Sequence, residues 1–129
     1  MIKAEELRWG NQVLFKNGPR IGPVACGAEH FALLAGGGAK DFFPVVLKAE
    51  VLEARGFTEN KDYALYPQAR EFHRVLPVKG KEQHALVAYV KSNGECLAWA
   101  TVNGLVASNP VFHLHALQNL YFALTGEEL

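Results

Sequence analysis

The stretch Ala85-Leu86-Val87-Ala88-Tyr89-Val90 decides the fold. Every position in it is apolar, and β-branched and aromatic residues favour extended structure. A half-exposed strand would alternate apolar with polar residues, so an unbroken apolar run predicts a central strand that is covered on both faces. A helix is the expected cover for such a strand.

The segments around this strand predict an antiparallel meander. Its other members are three further runs rich in Val, Tyr, Phe and Leu, and the connections between them are short. Asn93-Gly94 predicts a two-residue type I′ turn, because both residues tolerate positive φ. Thr58–Asp62 is polar and predicts a loop. The predicted strands are Tyr63–Tyr66, Glu71–Val78, Gln83–Lys91 and Glu95–Val102.

The cover is predicted at the C-terminus, where Leu114–Leu124 carries leucines and Tyr121 at helical spacing. Gln118 and Asn119 mark the side opposite to this apolar stripe. Gly126 is the expected C-cap. The acidic residues after it are unfavourable at a helix C-terminus, and we expect them to be frayed or turned away.

A second amphipathic helix, of about three turns, is predicted in the middle of the chain between Pro44 and Phe57. Its ending is well specified, because Gly56 suits the left-handed C′ position. Phe57 then follows as C″, as in a Schellman motif, and can pack back on Leu52.

The N-terminal third predicts short strands between tight turns. Gln12–Lys16 is the first and Arg20–Cys26 the second. Gly22 and Pro23 indicate a bulge or an edge position in the second strand. The apolar run His30–Leu34 is the third strand candidate. Together these elements predict an α+β fold over a single domain, residues 1–129, with a small antiparallel sheet or a partly closed β-barrel.

Composition narrows the functional class. The chain has 129 residues, with 13 Lys+Arg against 13 Asp+Glu and 50% hydrophobic residues. A zero net charge disfavours a dedicated binder of nucleic acid or of anionic membranes, and it makes self-association easier. A homo-oligomer is therefore expected. No apolar run is long enough to cross a bilayer, so no membrane association is predicted.

Two isolated cysteines, Cys26 and Cys96, do not form a disulfide framework. The N-terminal stretch has acidic residues where a signal peptide is apolar. A cytoplasmic location with reduced thiols is the expectation. The glycines at 36–38 lack the GxxxxGK[ST] pattern of a phosphate loop, and no cofactor is predicted.

His113 and His115 are the sharpest candidates for chemistry. On one strand they would face the same side, and His30, His73, His84 or a carboxylate could complete a metal site. A strand-to-helix transition near Leu114 would separate the two imidazoles, so no metal is predicted. His115 is instead expected to act as a polar cap near the helix start.

Arg70, Phe72 and Arg74 form a basic and aromatic cluster, with Lys79 and Lys81 across a turn. At strand spacing the first three share a face, which predicts a possible ligand or nucleic-acid surface in which cations surround a stacking ring. Glu71, Glu82 and the neutral total charge weigh against this interpretation. The alternative is a solvated sheet face.

Two end segments carry a resemblance to a known family. Glu6–Val13 (ELRWGNQV) is similar to an opening ELRxGNxV, and Leu117–Leu129 (LQNLYFALTGEEL) resembles the closing signature of small proteins from Bacteroidetes genomes and their phages or prophages. Pro44–Phe57 resembles the same family's proline-led helix ending in Gly-Phe. The family has no assigned reaction, cofactor or catalytic residue, so the resemblance implies architecture and context.

Three functions follow as expectations. The favoured one is a non-catalytic accessory or protein-interaction domain of bacterial or phage context, which associates with itself through a sheet edge or through the C-terminal helix. The second is a domain, enzymatic or not, that binds a small ligand or a metal in a pocket of His113, His115, Tyr121 and Glu29 or His30. The third is a weak nucleic-acid binder.

Overall fold

The structure is a computed structural model that describes residues 2–61, 69–78 and 80–129. Within these ranges two antiparallel sheets, of three and five strands, pack with three α-helices, and the strands do not close into a barrel. The α+β prediction is confirmed, in its open-sheet form. The described elements in chain order are β1 (Gln12–Asn17), β2 (Arg20–Ala25), α1 (Ala28–Ala35), β3 (Phe42–Phe43), α2 (Ala49–Ala54), β4 (Thr58–Asn60), β5 (Ala69–Val75), β6 (His84–Lys91), β7 (Cys96–Val102), β8 (Leu105–Val106) and α3 (Leu114–Thr125).

The larger sheet has the order β4-β5-β6-β7-β8, so the apolar strand β6 is central as predicted. One face of this sheet carries Phe72, Leu86 and Ala98, which share a buried core with Leu117 and Tyr121 of α3. The C-terminal helix therefore covers one face of the central strand, as predicted. The prediction that both faces are covered is met only in part, because Ala85 and Val87 on the other face are half-buried. Burial of these side chains removes apolar surface from water and is the main stabilising term for the unit.

The larger sheet differs from the predicted meander at the loop Thr58–Asp62 and at β8, and one predicted strand lies outside the described ranges. Thr58–Asn60 is an edge strand paired with β5, since residues beside a long strand can add to the sheet whatever their own β propensity. The predicted strand Tyr63–Tyr66 lies outside the described residues, and so does Lys79. Short β8, for which the sequence carried no prediction, follows β7 directly.

Two of the three Asn-Gly pairs, Asn93-Gly94 and Asn103-Gly104, form different turns in the larger sheet. Asn103 and Gly104 both have positive φ, 51° and 81°, and join β7 to β8 as a type I′ turn requires. At the β6–β7 connection only Gly94 is left-handed, and Lys91 N–H donates to Glu95 O around a three-residue loop. The type I′ prediction for Asn93-Gly94 is wrong, because the register there leaves one more residue in the loop.

Helix α3 is buried on two sides. Gln118, predicted on its exposed side, is buried and accepts a hydrogen bond from Gln12 N–H at 2.8 Å. Asn119 accepts from Asn11 Nδ2 at 2.9 Å and donates to Glu6 O at 2.8 Å. The polar side of α3 is therefore hydrogen-bonded to β1 and to the N-terminal segment. Helical periodicity alone does not reveal that these segments pack on it.

The acidic C-terminus is also held in place. Both oxygens of the Glu128 carboxylate accept from the Arg8 guanidinium, with an Nη2–Oε2 distance of 3.1 Å. The guanidinium lies 4.1 Å from the centre of the Phe122 ring. The expected fraying of this end is therefore wrong, because a cation from the N-terminal segment offsets the unfavourable helix dipole.

The run His30–Leu34 belongs to α1 and is not a strand. A short continuous apolar run does not distinguish a strand from a buried helix, and the Ala and Leu in this run, with Glu29 before it, favour the helix. His30 strengthens the helix start, since its Nδ1 accepts from Gly27 N–H at 3.0 Å.

The mid-chain helix is shorter than predicted and covers only Ala49–Ala54. Residues before it are extended, and Val46 pairs with His113 in an antiparallel bridge that ties this segment to the start of α3. The predicted ending is confirmed: Phe57 N–H donates to Leu52 O and Gly56 N–H to Glu53 O, with Gly56 at φ 83°. These are the two bonds of a Schellman motif.

The smaller sheet has the order β2-β1-β3, which makes β2 an edge strand, as Gly22 and Pro23 indicate. Its inner face packs on a second core that contains Val13, Phe42 and Cys26. Within the described residues, no helix combines the length and the apolar character that spanning a membrane requires.

Candidate interaction surface

The outer face of the smaller sheet carries an apolar row. Leu14 of β1 lies opposite Pro23 of β2 and opposite Phe43 of β3, and directly paired residues share a face. Val13 and Phe42 alternate with these residues and point to the core, so the row points away from it. Phe43 is 39% exposed.

Two further apolar side chains extend the row along β2. Ile21, 58% exposed, and Ala25, also exposed, flank Pro23 at a spacing of two residues, so all three lie on the same face. We call the face formed by Leu14, Ile21, Pro23, Ala25 and Phe43 the outer apolar face. Apolar side chains grouped in this way mark interaction sites more often than scattered ones do.

The ends of this face differ in charge. The β1–β2 hairpin places exposed Lys16 at one end, on the same face as Ile21 and directly opposite it. At the other end the chain enters α1, whose first turn carries exposed Glu29.

The two surfaces that the sequence favoured for self-association differ in availability. The apolar stripe of α3 is buried in the main core, with Leu114, Leu117 and Tyr121 all inaccessible. The free edge of β2 contains Pro23, which has no N–H and so interrupts pairing with another strand. The outer apolar face is therefore available, whereas α3 and the β2 edge are not; the β8 edge of the larger sheet, with exposed Leu105 and Val106, is also available.

His113 and His115 lie together, although we expected the helix start to separate them. Their rings are stacked, with centroids 5.8 Å apart and planes at 6°. Stacked rings at this distance do not aim nitrogens at one point, as tetrahedral zinc ligands must. No group of three or more His, Cys, Asp or Glu in the described part of the chain could hold a metal ion.

His115 is 3% exposed and is not a helix cap. Its Nε2 lies 3.5 Å from Glu6 Oε2, while its Nδ1 is buried and makes no hydrogen bond with any described residue. Burial lowers the pKa of the His115 imidazole, because the charged form loses hydration, and nearby Glu6 only partly opposes this effect. The histidine therefore links the N-terminal segment to α3.

The other residues of the predicted histidine pocket lie elsewhere. A cleft of about 420 Å³ beside His113 and His115 is lined also by Glu6, Phe112 and Asn119. Tyr121 is buried under the Arg74 guanidinium, which lies 4.6 Å from its ring centre. His30 packs edge-on against Phe15 and Phe42 in the second core. The predicted pocket of His113, His115, Tyr121 and Glu29 or His30 is therefore not formed.

Arg70, Phe72 and Arg74 share one face of β5, as their spacing indicates, but it is the face that packs on the core. Phe72 is 0% exposed, so its ring offers no platform for a base. Arg74 donates to Arg55 O at 2.6 Å and closes the end of α2. The exposed stacking surface is not formed, because the predicted face is the one that α2 and α3 cover.

Arg70 is held by acidic neighbours. Its guanidinium donates to both oxygens of Glu59, at 2.8 and 3.1 Å, and lies 3.8 Å from Glu53. The pair lowers the pKa of Glu59, chiefly through the hydrogen bond. A cation neutralised in this way has little free charge for phosphate.

Both cysteines are free thiols. Burial raises the pKa of Cys26, and that of Cys96 to about 11. Since the thiolate is the reactive form, neither side chain is an activated nucleophile.

The outer apolar face was missed in the sequence. Alternation along Gln12–Lys16 indicates two faces of a strand, but nothing local indicates that Phe43 pairs beside Leu14. Comparison with family models, curated proteins and solved structures finds no match. Function is therefore inferred from the geometry.

Proposed function

We propose that the protein is a non-catalytic interaction domain, which binds a second copy of itself through the outer apolar face. The observation that carries the proposal is the row of Pro23, Leu14 and Phe43 across three strands, with Ile21 and Ala25 beside it. The bacterial or phage context of the resemblance and a cytoplasmic location with reduced thiols belong to the same proposal.

Apolar burial supplies the attraction. Two sheets that meet face to face interdigitate their side chains about 10 Å apart, as in a β-sandwich. Each exposed apolar side chain that leaves water contributes roughly 25 cal/mol per Å². The zero net charge of the chain means that two copies do not repel each other at long range.

Symmetry fixes which residues meet. A two-fold axis across the strands, through the row of Pro23, Leu14 and Phe43, reverses the strand direction of one copy relative to the other. Pro23 lies midway between Ile21 and Ala25 along β2, so this axis sets Ile21 of one copy over Ala25 of the other. It also separates the two basic hairpin tips.

Sedimentation velocity tests the proposal. The wild-type chain is expected to sediment as a dimer, and Ile21→Glu as a monomer, because the variant buries a carboxylate in the contact at a large desolvation cost. Leu105→Glu is the matched control. Leu105 is 75% exposed in edge strand β8, away from this face, so the variant should remain dimeric.

Both positions are exposed, so neither substitution should disrupt the fold. Circular dichroism of the two variants checks this. A monomeric wild-type chain, or a dimer that Leu105→Glu dissociates and Ile21→Glu does not, would contradict the proposal. The second result would place the contact at the edge of the larger sheet.

A further inference from the structure

Three turns of the structure contain an asparagine that is followed by a glycine. Asn17-Gly18 lies at the turn from β1 to β2, Asn93-Gly94 at the turn from β6 to β7, and Asn103-Gly104 at the turn from β7 to β8. All three asparagines are exposed to solvent. Each pair is therefore open to a covalent reaction that buried asparagines escape.

The reaction follows from the chemistry of the two residues, since asparagine is among the labile side chains of proteins. The backbone nitrogen of the glycine attacks the asparagine Cγ and forms a C–N bond. The bond from Cγ to the side-chain nitrogen breaks, and ammonia leaves with the proton of the glycine N–H. Water then opens the cyclic imide at one of its two carbonyl carbons and gives aspartate or isoaspartate. Glycine permits the attack because it has no Cβ to block the approach.

Space does not distinguish the three turns. A Cβ added at Gly18, Gly94 or Gly104 would have no atom within 4 Å. The attack also requires the asparagine side chain to rotate until Cγ meets the next backbone nitrogen. A hydrogen bond to the side-chain amide opposes this rotation, because it must break first. The hydrogen bonds of the three asparagines therefore decide which one reacts.

Asn93 is held at both reacting groups. Its Oδ1 accepts from Glu95 N–H at 2.9 Å. The attacking nitrogen is also engaged, since Gly94 N–H donates to Lys91 O at 2.9 Å. Reaction at this pair requires both hydrogen bonds to break.

Asn103 is held by the residue that precedes β6. Its Oδ1 accepts from Gln83 N–H at 2.8 Å, and its own N–H donates to Gln83 O at 2.8 Å. The two bonds fix both the side chain and the backbone of Asn103. This pair is therefore protected as well.

Asn17 lacks this protection. Within the described part of the chain, neither its side chain nor the N–H of Gly18 has a hydrogen-bond partner. The backbone of Asn17 pairs with Arg20, but this is the last pair of the β1–β2 ladder, and pairs at the end of a ladder open most readily. Gly18 has φ 64°, a conformation that keeps a glycine at this position.

We propose that Asn17 is a site of spontaneous modification, at which the neutral amide becomes a carboxylate. The new negative charge lies between Lys16 and Arg20. Either product takes the chain from a balanced charge to a net negative one. Isoaspartate also adds a methylene group to the backbone, so it removes the pairing of this residue with Arg20. The modification does not depend on the proposed dimer.

Peptide mapping by mass spectrometry tests the proposal, after incubation of the folded protein in mildly alkaline buffer and digestion at acidic pH. All three sites are measured in one sample, so Asn93 and Asn103 are internal controls. Conversion at Asn17 should be at least about fivefold faster than at either control, because a hydrogen bond of ordinary strength must break at each of them. In guanidinium chloride, which unfolds the chain, the three rates should approach one another.

Asn17→Gln provides a variant at an exposed position, so the fold should persist. Glutamine would have to close a six-membered ring, which is slow, and the acidic species that ion-exchange chromatography separates should disappear. Reaction at Asn93 or Asn103 as fast as at Asn17 in the folded protein would overturn the proposal. So would an intact Asn17 after an incubation in which the unfolded chain reacts. A rate difference that persists unchanged in guanidinium chloride would also overturn it, because neighbouring residues and not hydrogen bonds would then set the rates.

Discussion

Asn11 and Asn119 join the two ends of the chain through a hydrogen bond of 2.9 Å from Asn11 Nδ2 to Asn119 Oδ1. Asn11 is fully buried, and its own Oδ1 accepts from Arg8 N–H at 2.7 Å. The segments Glu6–Val13 and Leu117–Leu129 therefore contact each other directly. The residues of both segments that make these contacts therefore have a structural role.

Asn11→Ala is expected to lower the free energy of unfolding by about 2 kcal/mol, since it removes the hydrogen-bond partners of Arg8 N–H and of Asn119 Oδ1. Denaturant unfolding monitored by circular dichroism measures the change. Asn109→Ala, at an exposed asparagine, should change stability by less than about 0.5 kcal/mol. Equal changes in the free energy of unfolding for the two variants would show that the buried hydrogen bond between Asn11 and Asn119 does not stabilise the fold more than an exposed asparagine does.

Stability should depend on pH through His115. Its pKa is lowered in the folded state from the ordinary 6.5, so the unfolded chain binds the proton more readily. The free energy of unfolding is therefore highest above pH 6.5 and falls as the pH drops toward the folded-state pKa, by at most about 1.4 kcal/mol per pH unit. Urea midpoints between pH 5 and 8 measure this slope.

His115→Gln should flatten that slope, because glutamine does not titrate. His84→Gln, at a less buried histidine, provides the comparison. The account of His115 is wrong if its substitution leaves the pH dependence unchanged.

Gly56→Ala should destabilise the fold by roughly 1–2 kcal/mol, since Gly56 has φ 83° and an L residue is strained there. Space is not the cause, because an added Cβ would lie 3.5 Å from Arg74 Cζ, an ordinary contact. Gly36 has φ −85°, so Gly36→Ala should be neutral or slightly stabilising. Thermal unfolding of the two variants compares the effects directly.

Arg74→Gln should lower stability by about 1–2 kcal/mol, because it removes the hydrogen bond to Arg55 O and the contact with Tyr121. It should not change the salt concentration at which the protein elutes from a heparin column, and neither should Arg70→Gln. Arg20→Gln, at an exposed hairpin residue, is the control for stability. Earlier elution of the Arg70 and Arg74 variants would support a nucleic-acid surface instead.

Much of the secondary structure follows from local pattern. The apolar run of β6, the leucine spacing of α3 and the Gly56-Phe57 ending each have one strong interpretation, and the structure has all three. The errors occur where local pattern is ambiguous. His30–Leu34 fits a strand or a helix, and Thr58–Asn60 becomes a strand only because β5 lies beside it.

The surfaces were harder to predict than the elements. Which face of β5 is buried depends on where α2 and α3 pack, so the alternation of Arg70, Phe72 and Arg74 did not reveal that Phe72 lies in the core. The stacking of His113 on His115 depends on side-chain rotamers at the start of α3. The outer apolar face depends on the pairing of β3 with β1, across 28 residues of chain.

Isotope-filtered nuclear Overhauser spectroscopy on a mixture of labelled and unlabelled protein tests the proposed association most directly. The two-fold arrangement predicts intermolecular contacts between the methyl groups of Ile21 in one copy and Ala25 in the other, and between the Phe43 rings of both copies. Intermolecular contacts at Leu105 and Val106 instead, or none at all, would contradict association through the outer apolar face.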